Sequence, residues 1–213
     1  MTKYFKTKKI VLKFSNNPFI LLKGITSNTL DAPKNAFLDR FGKIIVVFHQ
    51  IKFYDHVLVI FEKKFLDRLM SHLKRFIVLT HVKVKELDFD VYCTIGKHKT
   101  MDDEILIKQK VGSVLLTKNK YLSIYKDEYN KFRLKNKIPI QGIDFDQDMV
   151  LNIDKDLVSF KKGCFLGQEI VARVEFKSRP PKKIMVSEIC PSKKYSSVAL
   201  LKGKKQGFCI VKR

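Results

Sequence analysis

The sequence predicts an α+β protein built on antiparallel sheets, and three observations predict it. Strand-like apolar runs come in pairs separated by short polar turns, as hairpins require. Helical spacing of apolar residues is confined to isolated stretches and does not alternate with strands in the regular manner of a parallel sheet. The adjacent prolines Pro180 and Pro181 cut off a C-terminal stretch of short strands, because together they continue neither a helix nor a ladder.

Taken in order, Lys9 to Phe14 and Pro18 to Gly24 read as strands, followed by the polar turn "TSNTLDAPKN", where Pro33 suits the first turn of a short helix. "GKIIVVFHQIKF" and "DHVLVIF" read as a strand pair turning at Tyr54 and Asp55. Between Glu62 and Phe76, the apolar residues Phe65, Leu66, Leu69, Leu73 and Phe76 recur at helical spacing and predict a helix packed on a sheet. "VLTHVKVKEL", "DVYCTIG", "ILIKQ" and "SVLLT" return to strand character. A second helix is expected from Lys126 to Lys137, stopping before Pro139, and a third from Gln168 to Arg173. Residues 1–176 form the body. Residues 177–213 hold about three short strands, too few for a core of their own, so this tail must lean on the body.

No apolar run approaches a membrane span, and the N-terminus lacks the apolar region and cleavage site of a secretory signal, so a cytoplasmic location with no membrane partner is expected. Cys93, Cys164, Cys190 and Cys209 are widely spaced, without zinc-ligand or disulfide-framework spacing, so reduced thiols and no metal site are expected. A net charge of +22 attracts polyanions, and weak, sequence-indifferent nucleic-acid binding follows from it. Residues 161–183 carry seven basic and two acidic residues, and residues 193–213 carry seven basic residues and no acid. The stripe Tyr121, Tyr125, Tyr129, Phe132 reads as a helix's core face rather than a base-stacking platform. His49, His56, His72, His81 and His98 show no ligand or triad spacing, and Asp102, Asp103 and Glu104 read as a solvated acidic loop.

The stretch "KKGCFLGQEIVAR", residues 161–173, sets Cys164 between Gly163 and Gly167 directly before a helix. Free N–H groups and the dipole at a helix N-terminus stabilise an anion, so a thiol there, with Lys161 and Lys162 nearby, is expected to ionise readily. The other three cysteines lack such surroundings and are expected to react slowly. Gly163 and Gly167 permit positive φ and close approach of a ligand.

These residues resemble the K-G-C-[FY]-x-G-Q-E signature of the YgfZ family, folate-binding relatives of the glycine-cleavage T-protein that assist iron–sulfur proteins; Lys162, Gly163, Cys164, Phe165, Gly167, Gln168 and Glu169 match it. Upstream, "KIPIQGIDFDQDMVLNIDKDLVSF", "LLKGITSNTL" (at Gly24, Ser27 and Asn28) and "FLDRFGKIIVVF" are also similar to family segments, so the likeness runs over roughly residues 8 to 175. It departs at Thr29, where the family usually has Asp, and at Val47, where many relatives carry an aspartate near the folate. The family's C-terminal barrel is reduced here to a short β remnant. The resemblance implies interleaved ferredoxin-like subdomains around a folate channel and a role in assembly or repair of iron–sulfur enzymes, among them tRNA-modifying ones. It further implies tetrahydrofolate held by Gly24, Ser27, Asn28, Gly163, Gly167, Gln168 and Glu169, with Cys164 as reactive thiol and Lys161, Lys162 and Arg173 as supporting charge. Iron–sulfur client proteins are the implied partners. A folate-dependent aminomethyl-type transferase is the alternative, which Val47 disfavours because it supplies no titratable group. A basic RNA-binding module is the third reading.

Overall fold

The computed structural model describes residues 1–212. In chain order the strands are β1 (Lys3–Lys6), β2 (Lys9–Ser15), β3 (Lys34–Leu38), β4 (Ile44–Lys52), β5 (Val57–Glu62), β6 (Lys83–Leu87), β7 (Asp90–Ile95), β8 (Ile105–Lys108), β9 (Ser113–Thr117), β10 (Lys182–Glu188), β11 (Ser196–Leu201) and β12 (Lys204–Lys212). The helices are α1 (Pro18–Ile25), α2 (Leu66–Thr80), α3 (Lys126–Lys135), α4 (Val150–Ile153) and α5 (Gln168–Phe176). The strands form three sheets, ordered β3-β4-β5-β2-β6, β1-β7-β9-β8 and β10-β12-β11, with every pairing antiparallel. The α+β class with antiparallel sheets is borne out. Among the described residues no helix is long and apolar enough to cross a membrane.

Three readings of the sequence are corrected. Pro18 to Gly24 is helical: Pro18, Leu21, Leu22 and Ile25 are buried at helical spacing, and proline opens the first turn. Asn16 and Asn17, with φ of 61° and 62°, bend the chain into it, a conformation asparagine tolerates. No helix forms at Pro33. The carbonyls of Thr29 and Ala32 accept instead from Gln50 Nε2, each at 2.8 Å, and Pro33 leads directly into β3. Helix α2 also runs on through Val78 and Leu79, ending at His81 in a left-handed conformation, so the next strand starts only at Lys83.

Helices α1 and α2 cover one face of the five-stranded sheet, over a cluster that includes Phe14, Leu22, Phe37, Phe48, Phe61, Leu69 and Leu73. The opposite face, through Val11, Leu58 and Ile60, packs on Val91, Ile107, Val114 and Leu116 of the four-stranded sheet. A third cluster joins Ala36, Leu38 and Ile44 to Leu134, Phe165 and Val171 and to Ile184 and Phe208 of the tail. The tail therefore has no core separate from the body. In the aromatic stripe, Tyr129 stacks on Phe5 and Tyr121 on Tyr4, whereas Tyr125 stands in solvent.

Two buried polar arrangements fix these layers. Arg133 of α3 donates to Asp144 Oδ2 at 2.6 Å, to the Ile138 carbonyl at 3.1 Å, to Asn130 Oδ1 at 3.0 Å and to Ser197 Oγ. Asp144 also accepts from the Ile140 N–H at 2.8 Å and from the hydroxyls of Ser196 and Ser197 at 2.7 and 2.6 Å. Along β4, the Gln141 side chain takes the place of a strand: its Oε1 accepts from Val47 N–H at 2.8 Å and its Nε2 donates to the Ile45 carbonyl at 3.0 Å.

Glu104 corrects the reading of a solvated acidic loop. Its side chain is fully buried, and its carboxylate accepts from Tyr121 Oη at 2.6 Å, His98 Nε2 at 2.8 Å, Thr117 Oγ1 at 3.0 Å and Met101 N–H at 3.1 Å. Burial pushes its pKa up, but these hydrogen bonds outweigh burial and hold it down to about 2. A carboxylate lowered in the folded state stabilises fully above its unfolded pKa near 4.5, and that contribution is lost as pH falls toward about 2. Glu104→Gln is expected to lower stability at pH 7 by on the order of 3 kcal/mol, with the difference from the native protein shrinking toward pH 2 in urea titrations. An equal deficit at pH 7 and pH 2 would sink this account.

Candidate functional site

The loop from Lys161 to Gly167 is docked on the C-terminal end of α1. Leu166 N–H donates to the Gly24 carbonyl at 3.1 Å, and Lys162 Nζ donates to the Lys23 carbonyl at 2.8 Å and to that of Thr26. A cation belongs there, because the last carbonyls of a helix lack partners within it and the dipole is negative at that end. Lys162 also lies over the Phe165 ring at 5.0 Å, and burial pulls its pKa down to about 8. Phe165 is buried in the third core cluster and anchors the loop from beneath.

This construction brings Gly24 and the Gly163–Gly167 loop together, as the motif implied, but it gives several residues other work. Ser27 and Asn28 are buried. Ser27 Oγ donates to the Leu157 carbonyl at 2.6 Å, and Asn28 Nδ2 donates to the Asp156 carbonyl at 2.8 Å, so both stitch the end of α1 to the chain entering the loop. Gly167, not Cys164, is the N-cap of α5, with φ of 83°. A Cβ on Gly167 would lie 2.3 Å from the Asp39 carbonyl, so the β3–β4 turn, and not a ligand, occupies the space beside it. Gly42 in that turn is equally constrained, its Cβ position lying 2.7 Å from Val171 of α5. Around Gly163, by contrast, there is open space. Gln168 Oε1 accepts from Phe165 N–H at 3.2 Å, while Glu169 and Arg173 are exposed on α5.

Cys164 is exposed, as a reactive role requires. Of the two lysines expected beside it, Lys162 donates to the carbonyls of α1, and Lys161 is exposed. The expectation for the other thiols is corrected in part. Burial pushes Cys93 up and Cys209 is buried, but Cys190 is exposed and lowered by hydrogen bonding with Ser192, whose Oγ lies 3.1 Å away. Among the described residues no three His, Cys, Asp or Glu side chains are placed to hold a metal ion.

Two open grooves lie away from the loop, one along α2 at Ser71, His72, Arg75 and Leu79, and one of about 510 Å³ between Lys64, Arg68, Ile143 and Asp146. The second is internally paired, Arg68 holding Asp146 with two bonds of 2.7 and 3.2 Å. What sequence reasoning missed lies between the sheets. His49 Nδ1 on β4 and Gln109 Nε2, just after β8, are buried without hydrogen-bond partners. A lone histidine in an apolar run gives only a faint sign of this.

The architecture is that of the glycine-cleavage T-protein. It superimposes on the aminomethyltransferase T of the glycine cleavage system from Bartonella henselae with a TM-score of 0.76 over 99% of this chain and 78% of that one, at 8% identity. In sequence, the chain is similar to the mitochondrial iron–sulfur cluster assembly factor IBA57 homolog of Dictyostelium discoideum, 31% identical over 165 residues, which are 61% of this chain and 40% of the relative. The chain thus spans less than half the length of that relative. No family model matches it. The resemblance drawn from the K-G-C motif and the T-protein-like fold are borne out.

The two motif glycines are expected to respond differently to substitution. Gly167→Ala should cost about 1–3 kcal/mol, through strain at positive φ and the clash with Asp39, whereas Gly163→Ala should leave the melting temperature nearly unchanged. Equal destabilisation, measured by thermal denaturation, would contradict the packing role given to Gly167.

Proposed function

We propose that this protein is a tetrahydrofolate-binding accessory factor for the assembly or repair of iron–sulfur enzymes, tRNA-modifying ones among them, acting through Cys164. The observation that carries the reading is the match to a named iron–sulfur cluster assembly factor. The exposed Cys164, on a loop clamped from both sides, adds to it. A thiol so presented is open to a client's thiol or to iron while its backbone stays fixed. Four free cysteines suit a reducing compartment, the cytoplasm or the mitochondrial matrix alike.

Tetrahydrofolate as ligand is supported by the fold shared with the T-protein. His49 Nδ1 and Gln109 Nε2 are buried without partners, atoms of the kind that a polar ring system satisfies. Aminomethyl transfer is disfavoured by Val47, whose side chain packs against the third core cluster and offers no proton acceptor.

Calorimetry under reducing conditions should detect tetrahydrofolate binding, and the absence of heat at millimolar ligand would remove folate from the proposal. In alkylation followed by mass spectrometry, Cys164 and Cys190 should react at least about tenfold faster than Cys93 and Cys209. Cys164→Ser, but not Cys190→Ser, should fail to restore iron–sulfur enzyme activity in cells lacking the protein. Full rescue by Cys164→Ser would show that the thiol is dispensable.

A further inference from the structure

The charge of the chain is divided unevenly between body and tail. Residues 177–213 carry eleven Lys and Arg against a single acid, Glu188, so about a sixth of the chain holds nearly half of the net charge of +22. Ten Lys and Arg side chains of residues 1–176 each pair with a carboxylate. In the tail, among the described residues, only Lys204 does, with Glu188 at 2.6 Å. Every described cation of the tail is exposed.

The sheet β10-β12-β11 sorts these charges. Its inner face, with Ile184, Val186, Leu201 and Phe208, packs on the third core cluster. Strand alternation and register put Lys183, Met185, Leu200 and Lys205 on the outer face. Lys205 pairs with Ile189, six residues along β10 from Lys183, so the two lysines stand roughly 20 Å apart at about 3.3 Å per residue. Each has company. Lys182 and Lys212 face each other at the first end, and Lys202 and Lys204 lie at the second. Like charges directly opposite across a ladder destabilise it, so folding alone gives no reason for Lys182 and Lys212. An anion bound there would supply one.

We infer that the outer face of the tail sheet is a docking surface for the phosphate backbone of a double-stranded nucleic acid, its two basic ends engaging the strands on either side of one groove. The span suits a groove about 12 Å wide with a backbone along each side. Nine of the eleven cations are lysines, point charges suited to phosphate rather than to bidentate reading of bases, so recognition is indifferent to sequence. Single strands are held by stacking on aromatic side chains, and the tail's two are engaged elsewhere: Phe208 is in the core, and Tyr195 is half-buried with its hydroxyl tied to the Glu188 carbonyl at 2.7 Å. An anionic bilayer shares the phosphate chemistry but is entered by protruding apolar side chains. Met185, Val198 and Leu200 are 38%, 43% and 55% exposed, each partly sunk in the sheet. The inference stands apart from the folate and Cys164 readings.

The test follows binding of the full chain to a fluorescent DNA duplex of about 20 base pairs by anisotropy, between about 50 and 200 mM salt. In one variant Lys182, Lys183, Lys202 and Lys205 are changed to Gln; in a second, the exposed body lysines Lys74, Lys97, Lys118 and Lys131 are changed likewise. Both lose four charges, so a difference between them reports position and not net charge. The tail variant should bind at least tenfold more weakly at the lower salt, with the slope of log K against log salt shallower by about 3, and the body variant should lose less than half as much. On the unsubstituted chain, which removes any dependence on how the variants fold, bound duplex should shield Lys183 and Lys205 from acetylation by an activated ester and leave Lys74 and Lys97 open. Equal losses in the two variants, or equal shielding of all four lysines, would show a general effect of net charge and overturn the inference. Tighter binding to a single strand of the same length would also overturn it. So would binding to vesicles of about three parts phosphatidylcholine to one of phosphatidylglycerol without binding to the duplex.

Discussion

The ion pair of Arg133 and Asp144 is the constraint on which the arrangement of the chain turns. Both groups are almost wholly out of solvent, and burying two charges costs more than their attraction returns unless further hydrogen bonds complete them. Here the completing partners come from three separate parts of the chain: α3, the loop from Ile138 to Asp144, and the β11 strand of the tail. Apart from Arg133 Nε, which is buried without a partner, the charged groups are therefore solvated by the fold itself. This explains how a three-stranded tail holds a definite position: its serines and Phe208 complete a site and a core that belong equally to the body.

The same economy governs the loop bearing Cys164. Most of its polar groups are spent on docking, Lys162 on the carbonyl end of α1 and Leu166 N–H on Gly24, while Phe165 fills the core below. The thiol is left outside this fastening. A residue presented on a fixed backbone loses little conformational freedom when a partner engages it. Many residues of the motif are thus accounted for by building the platform, and chemistry need be assigned only to what remains exposed.

Apolar runs made most strands of both large sheets legible, continuous where both faces are buried, as in β5, but β1 and β3 went unread because each is short and carries lysine or asparagine at its start. Helix α2 was legible in its first three turns by the helical spacing of its apolar residues. Its last turn was not, because the exposed Val78 and Leu79 carry strand propensity that the continuing backbone ladder overrides. Helix α1 was hidden by its brevity. The Cys164 motif was legible as a signature, but the reason for Gly167 was not, because it lies in a turn more than a hundred residues earlier that presses against it. Glu104 and His49 failed for a related reason. An acid in an acidic run and a histidine in an apolar one reveal their roles only through partners, or missing partners, supplied by distant segments.

The Gln141 amide along β4 has a consequence for behaviour outside the native state. Beyond the point where β5 stops pairing with it, β4 would present open ladder groups at Ile45 and Val47 in a strongly apolar segment, the kind of edge that recruits strands from other molecules. A single side chain occupies that edge. Before the segment around Gln141 docks, "KIIVVFHQI" has an unpaired apolar edge, and that is the stage at which association with other chains competes with folding.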